Sequence, residues 1–161
     1  MIKVLFICHG NICRSPMAEF ILKDILEKRN LEGEFEVASA ATSTEEIWGP
    51  VGNPIYPPAR EELLRHGIGS TKYTDFSSKR AVQVTKRDYE YYDYILCADT
   101  ANIRNTTRIT GPDTDGKIRL LLDFAGHEGQ SIADPWYTGG FSETYSDCVA
   151  GIEGFLQYLG Y

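Results

Sequence analysis

The sequence has no apolar run that approaches the length of a membrane span, so no membrane-spanning helix is expected. The one apolar stretch near the start, Ile2 to Ile7, is short and is followed by no small-residue cleavage site. It reads as a buried strand and not as a signal peptide. Cysteine is scarce. Four cysteines in 161 residues, with no secretion signal, read as free thiols rather than a disulfide framework, and the expected address is the cytoplasm. Positive charge is also short: 16 Lys and Arg against 23 Asp and Glu leave a net charge of −7. An anionic chain repels a nucleic-acid backbone, so neither nucleic acid nor membrane is an expected partner. There are three histidines, and none belongs to a cluster with metal-ligand spacing, so no metal and no cofactor are expected. No repeat, low-complexity tract or long linker divides the chain, which implies a single domain over residues 1–161.

What is present alternates between two periodicities. Residues 2–7 are nearly continuously apolar and β-prone, as in a buried parallel strand. Ser15-Pro16 then opens a helix running to about Asn30, with Met17, Phe20, Ile21, Ile25 and Leu26 at helical spacing. A second strand is expected from Phe35 to Ser39, a loop from Ala41 to Pro58, and a helix from Pro57 to Gly67 with proline at its start and glycine at its end. Residues 68–80 are polar and irregular. A turn or short helix at 85–91 leads to a third strand at 92–97, a helix at 99–108 and a fourth strand at 118–122. Residues 123–140 read as a long loop. The last helix spans 142–159, with Tyr145, Cys148, Val149, Ile152, Phe155, Leu156 and Leu159 facing inward. The alternation predicts an α/β fold of three layers: a four-stranded parallel sheet flanked by helices on both faces.

Ligands of such sheets bind beyond the carboxyl ends of the strands. There the sequence places Cys8-His9-Gly10-Asn11-Ile12-Cys13-Arg14-Ser15. A cysteine six residues before an arginine means little alone, but here it closes a strand and precedes a helix. Gly10 and Asn11 tolerate the dihedrals of a tight loop, and the helix start aims unpaired N–H groups and a positive dipole end into it. Such surroundings favour a thiolate at Cys8. The N–H groups of residues 9–14 can form a nest for phosphate oxygens, Arg14 can hold two of them bidentately, and Ser15 can donate to the Cys8 sulfur. His9 offers its N–H and a pocket-wall side chain. Two readings stay open for Cys13: it packs, or it forms a reversible disulfide with Cys8 after oxidation. Ester cleavage also needs a proton donor. Asp134-Pro135-Trp136-Tyr137, between Gly129 and Gly139-Gly140, is the candidate, its aromatics suited to stacking on a phenyl ring. An ordinary Asp-Pro turn is the other reading.

With these residues in view, the sequence resembles the low-molecular-weight protein tyrosine phosphatase family along essentially its whole length. The resemblance rests on Cys8 to Glu19, on Ser39-Ala40-Ala41-Thr42-Ser43, on Arg65-His66-Gly67-Ile68, on Asp93 to Arg104, and on Asp134 to Tyr137. It implies hydrolysis of protein phosphotyrosine through a phosphocysteine, with Cys8 as nucleophile, Arg14 as phosphate ligand and Asp134 as general acid. It also implies an Asn11, Ser15 and Ser39 hydrogen-bond network, and binding of inorganic phosphate or similar oxyanions in the loop. A monomer or weak homodimer is expected.

The chain departs from the pattern in two places. The segment from Ser43 to Pro57 is longer than usual, and Trp48 and Tyr56 either form the pocket rim or pack beneath it. Residues 68–80 lack the histidine that pairs with the Glu19 position in some members, and His66 reads as structural at a helix C-terminus. Alternatives are a thiol-dependent arsenate reductase, disfavoured because Cys97 and Cys148 lack close partners, and a phosphoarginine phosphatase, disfavoured by Ile12 where such relatives carry threonine. A non-catalytic phosphate-binding module is the third, disfavoured by the joint presence of Cys8, Arg14 and Asp134.

Overall fold

Residue periodicity translates directly into the layers of the computed structural model, which describes all 161 residues. The strands are β1 (Ile2–Cys8), β2 (Phe35–Ala41), β3 (Tyr94–Cys97) and β4 (Ile118–Leu120). They form one parallel sheet in the order β2-β1-β3-β4. In β1 the residues from Val4 to Cys8 are buried on both faces, as a central parallel strand requires. The helices are α1 (Arg14–Lys28), α2 (Pro57–Arg65), α3 (Lys86–Tyr91), α4 (Thr100–Thr110), α5 (Pro135–Thr138) and α6 (Phe141–Leu159).

Alternate side chains of β1 serve opposite faces. Val4, Phe6 and Cys8 join Met17, Phe20, Ile21, Leu63, Ile152 and Phe155 in the main core beneath α1, α2 and α6. Leu5 and Ile7 join Val84, Tyr89, Ile95, Cys97 and Ile118 beneath α3 and α4. Helices therefore cover both faces, as the pattern predicts. No helix is long and apolar enough to cross a membrane.

Local chemistry explains most helix ends. Pro57 and Pro58 open α2. Thr85 with Asp88, and Asp99 with Asn102, form reciprocal capping boxes at α3 and α4. The main differences from the sequence reading lie in the third and fourth strands and the segment that follows. Tyr92 caps α3, so β3 starts at Tyr94. β4 stops at Leu120, and Leu121–Ala125 turns into a 3-10 helix. This turn lies against α6 where the helix has no side chain: a Cβ on Gly154 would sit 1.9 Å from the Phe124 carbonyl oxygen. The expected loop at 123–140 also contains α5, whose N-cap is Asp134. β2 continues to Ala41, two residues beyond the expected end.

Candidate active site

The carboxyl end of β1 delivers Cys8, and α1 begins six residues later, so the intervening chain turns back sharply on itself. Asn11 takes the left-handed conformation, φ 58°, that allows this. Its N–H points at Cys8 Sγ at 3.3 Å. No side chain caps α1 at Cys13, which leaves the first amides of that helix for a ligand.

The side chain of Asn11 fixes the loop from behind. The Val82 N–H donates to Asn11 Oδ1 at 3.2 Å, which sets the amide orientation. Asn11 Nδ2 therefore donates to Ser15 Oγ at 2.8 Å and to Ser39 Oγ at 2.9 Å. Ser39 Oγ donates to Glu19 Oε1 at 2.6 Å. Because Ser15 Oγ receives a proton from Asn11, its own hydroxyl proton is free for Cys8 Sγ at 3.1 Å; the Ala40 carbonyl lies farther, at 3.5 Å. Asn11, Ser15 and Ser39 are buried behind the pocket wall, so their side chains hold the loop and Cys8 rather than line the cavity.

Arg14 is 4% exposed and is anchored from two sides. One guanidinium nitrogen, Nη1, donates to Asp99 Oδ2 at 2.7 Å and to the Ile132 carbonyl at 2.9 Å. The other, Nη2, lies 3.6 Å from Asp134 Oδ2. Burial works against the charge, but Cys8, Asp99 and Asp134 outweigh it and raise the Arg14 pKa above its ordinary value. Asp134 itself caps α5, its Oδ1 accepting from the Trp136 N–H at 3.1 Å. The proline that follows suits the first helical position, so the Asp-Pro pair both starts the short helix and turns a carboxylate oxygen toward Arg14.

These groups converge on a pocket of about 560 Å³, open mouth included. Cys8, His9, Gly10, Ile12, Cys13, Arg14, Asp134, Trp136 and Tyr137 line it, all predicted site residues. Trp136 rests on Tyr56, with ring centroids 4.7 Å apart, so Tyr56 supports the rim from beneath. Trp48 does not line the pocket: it is 75% exposed, and its indole N–H donates to the Glu45 carbonyl.

Sequence reasoning missed Glu45 and Glu46, which form one wall, and Asp99, which holds Arg14. Glu45 Oε2 lies 3.0 Å from His9 Nε2. The loop carrying both acids is pinned at Gly52, where a Cβ would fall 2.0 Å from the Ala81 carbonyl oxygen. His66 caps α2, contacts Glu62 Oε2 through Nε2 at 2.8 Å and stacks on Tyr145, away from the pocket.

The remaining thiols are free and buried. Burial raises the Cys13 pKa, with Cys8 adding to the effect. Burial pushes Cys97 up to about 12 and raises Cys148 further. Cys97 and Cys148 lie in cores on opposite faces of the sheet. No group of three or more His, Cys, Asp or Glu is placed to hold a metal ion.

Comparison with known proteins agrees with this geometry. The family described as low molecular weight phosphotyrosine protein phosphatase matches residues 3–160. The low molecular weight protein-tyrosine-phosphatase YfkJ of Bacillus subtilis is 38% identical over 160 residues, covering 99% of this chain and 96% of its own. Its crystal structure superposes with a TM-score of 0.87, covering 99% of this chain and 95% of that one. The low molecular weight phosphotyrosine protein phosphatase of Gallus gallus is 37% identical over 159 residues, covering 96% and 94%. The crystal structure of a drosophila arginine phosphatase gives a TM-score of 0.83 at 30% identity, covering 99% of each chain. The chain belongs to the low molecular weight phosphotyrosine protein phosphatase family.

Proposed function

We propose that this protein hydrolyses phosphotyrosine in proteins by two in-line displacements at phosphorus, with Cys8 as nucleophile, Arg14 as phosphate ligand and Asp134 as acid and then base. The observation that carries the reading is the convergence of three groups on one cavity. A cysteine sulfur faces the amide of Asn11 and the hydroxyl of Ser15, a buried arginine stands beside it, and a carboxylate lies 3.6 Å from that arginine at the mouth.

In the first step the Cys8 thiolate forms the S–P bond while the bond to the phenolic oxygen breaks. Asp134 gives its proton to that oxygen, and tyrosine leaves. In the second step Asp134, now a carboxylate, takes a proton from water as the water oxygen attacks phosphorus. The S–P bond breaks, and inorganic phosphate and the Cys8 thiolate are released. Arg14 and the loop amides hold the equatorial oxygens through both transition states, where charge is greatest. Ser15 donates to the sulfur when it carries charge, which favours its departure in the second step.

Ile12, Trp136 and Tyr137 give the pocket apolar and aromatic walls that fit a phenyl ring. That favours phosphotyrosine over phosphoarginine, although one structural relative is an arginine phosphatase. An arsenate-reducing relay would need a second close pair of thiols, and Cys97 and Cys148 are separated by the sheet. The test is turnover of phosphotyrosine, phosphoserine and phosphoarginine by the intact protein and by Cys8→Ser. Hydrolysis of phosphotyrosine that disappears in the variant is the expected result. Absence of turnover by the intact protein, or undiminished turnover by the variant, overturns it.

A further inference from the structure

Behind the loop lies a set of charges that the two displacements do not use. Glu19, on α1, is 5% exposed. Its carboxylate sits between two ammonium groups: Lys23 Nζ is 2.9 Å from Oε2, and Lys79 Nζ is 3.8 Å from Oε1. Lys79 comes from the irregular segment before α3, and its side chain is only 13% exposed. It donates to the Ser39 carbonyl oxygen at 3.0 Å. The same Ser39 gives its hydroxyl proton to Glu19 and receives one from Asn11.

A buried ammonium is costly unless partners compensate it. Its partners here are the two groups that start the chain of hydrogen bonds ending at Cys8. Burial lowers the Lys79 pKa, while Glu19 and then Cys8 draw it back up; Lys23 opposes them.

We propose that Lys79 is a positioning residue for the nucleophile: its ammonium, seated on the Ser39 carbonyl and facing Glu19, holds the Glu19–Ser39–Asn11–Ser15 chain in the order that points the Ser15 proton at Cys8, and adds a buried positive charge that favours the thiolate. The inference rests on Cys8 being the nucleophile. Other charged groups stand around the same sulfur: Arg14 and Asp134 line the pocket with it, Asp99 holds Arg14, and Glu19 ends the hydrogen-bond chain behind it. Lys79 is distinct because it stands behind the loop and leaves the phosphate site free.

The test is the rate of Cys8 alkylation by iodoacetamide as a function of pH, with the modified residue located by mass spectrometry. Lys79→Gln keeps a donor for the Ser39 carbonyl and removes the charge. Its alkylation midpoint is expected to move up by roughly half to one pH unit, the size of one charge at intermediate separation in a partly buried site. Lys79→Arg restores the midpoint, and Lys79→Gln with Glu19→Gln returns part of the shift. A folded Lys79→Gln protein with an unmoved midpoint overturns the proposal, because a merely structural lysine changes melting temperature alone.

The wild-type protein supplies an independent readout if the variant does not fold. Converting Cys8 to a neutral thioether removes the negative charge, so Lys79, followed by NMR at its ε-carbon, must lose its proton at lower pH. An unchanged Lys79 titration also overturns the proposal. Retained phosphatase activity after Cys8 alkylation is a different outcome, which refutes the role of Cys8 itself.

Discussion

Arg14 is held by Asp99 across 85 positions of sequence, Nη1 to Oδ2 at 2.7 Å, while Asp99 Oδ1 caps α4 through the Asn102 N–H at 2.8 Å. One carboxylate thus fixes both a helix start and the guanidinium plane. A bidentate arginine works only in the correct plane, since misplacement of about 1 Å can cost on the order of 100-fold in rate. Asp99→Asn keeps a competent cap, because asparagine caps helices as well as aspartate. It is expected to lower kcat by about 10- to 100-fold with little loss of melting temperature. Steady-state kinetics with a thermal melt decide it: an unchanged kcat shows that the Ile132 carbonyl suffices to orient Arg14.

Asp134 faces a harder demand with a poor leaving group. Phenyl phosphate needs its departing oxygen protonated, whereas p-nitrophenolate leaves readily without help. Asp134→Asn should slow phenyl phosphate turnover by about 100-fold or more, the usual range for general acid catalysis. The loss on p-nitrophenyl phosphate should be smaller. Inhibition by inorganic phosphate should change little, since the proposed mechanism gives the anion to Arg14 and the loop amides rather than to Asp134. Equal losses in turnover and phosphate affinity would mean that Asp134 serves mainly to hold Arg14 or to cap α5.

The contrast between Asp134 and Asp99 shows what a linear sequence discloses. Asp134 stands out because glycines and aromatics surround it. Asp99 is visible only as a helix cap; its second oxygen reaches Arg14 through the pairing of β1 with β3, a long-range consequence of folding. Lys79 is hidden for the same reason, in a stretch with no periodicity. Glu45 and Glu46 line the pocket because Gly52 lets their loop close on the Ala81 backbone, and nothing in the loop's composition announces that contact. The strand-loop-helix unit at residues 2–28 is legible because its apolar spacing, Pro16 and Gly10 act locally. The end of β4 is not, since Leu121 and Leu122 are apolar whether the chain runs extended or turns into a 3-10 helix.

Gly52 offers a direct check on that loop. A methyl group there would meet the carbonyl oxygen, carbon and nitrogen of Ala81, all within 2.9 Å, and backbone cannot swing aside as a side chain does. Gly52→Ala is expected to destabilise the protein by about 1–3 kcal/mol, the range for overpacked sites. Chemical denaturation measures it. A cost of a few tenths of a kcal/mol, roughly the level of an ordinary surface substitution, would show that the 45–53 loop moves away freely.

Cys13 lines the same cavity as Cys8, and burial keeps it protonated at neutral pH. In the proposed mechanism it leaves attack on phosphorus to Cys8. Peroxide oxidises the Cys8 thiolate to a sulfenic acid, releasing water, and the Cys13 thiol can then displace a second water to form a disulfide. Peroxide inactivation is therefore expected to be reversible by dithiothreitol, with a Cys8–Cys13 bridge seen by mass spectrometry. Cys13→Ser should instead proceed to sulfinic or sulfonic acid at Cys8 and recover little activity. Full recovery of that variant would show that Cys13 merely packs.

Beyond the phosphate nest, the walls carry a charge preference of their own. Arg14 is the pocket's only lysine or arginine, and it is already engaged by Asp99 and Asp134. Glu45 Oε2 contacts His9 Nε2 at 3.0 Å, and Glu46 has one carboxylate oxygen on Asn53 Nδ2 at 2.9 Å and the other without a hydrogen bond. With a net charge of −7 behind it, this wall repels acidic residues beside a phosphotyrosine and attracts basic ones. A phosphotyrosine peptide with flanking lysine or arginine should show a kcat/KM about 3- to 10-fold above one with aspartate or glutamate, equivalent to roughly 1 kcal/mol of exposed electrostatics. The ratio should shrink as salt rises, since exposed charges are screened within about 8 Å at physiological ionic strength. Glu46→Gln should narrow it further while leaving p-nitrophenyl phosphate turnover near the wild-type value. The same ratio in wild type and Glu46→Gln, measured at low salt, would assign the preference to the global charge and not to this wall.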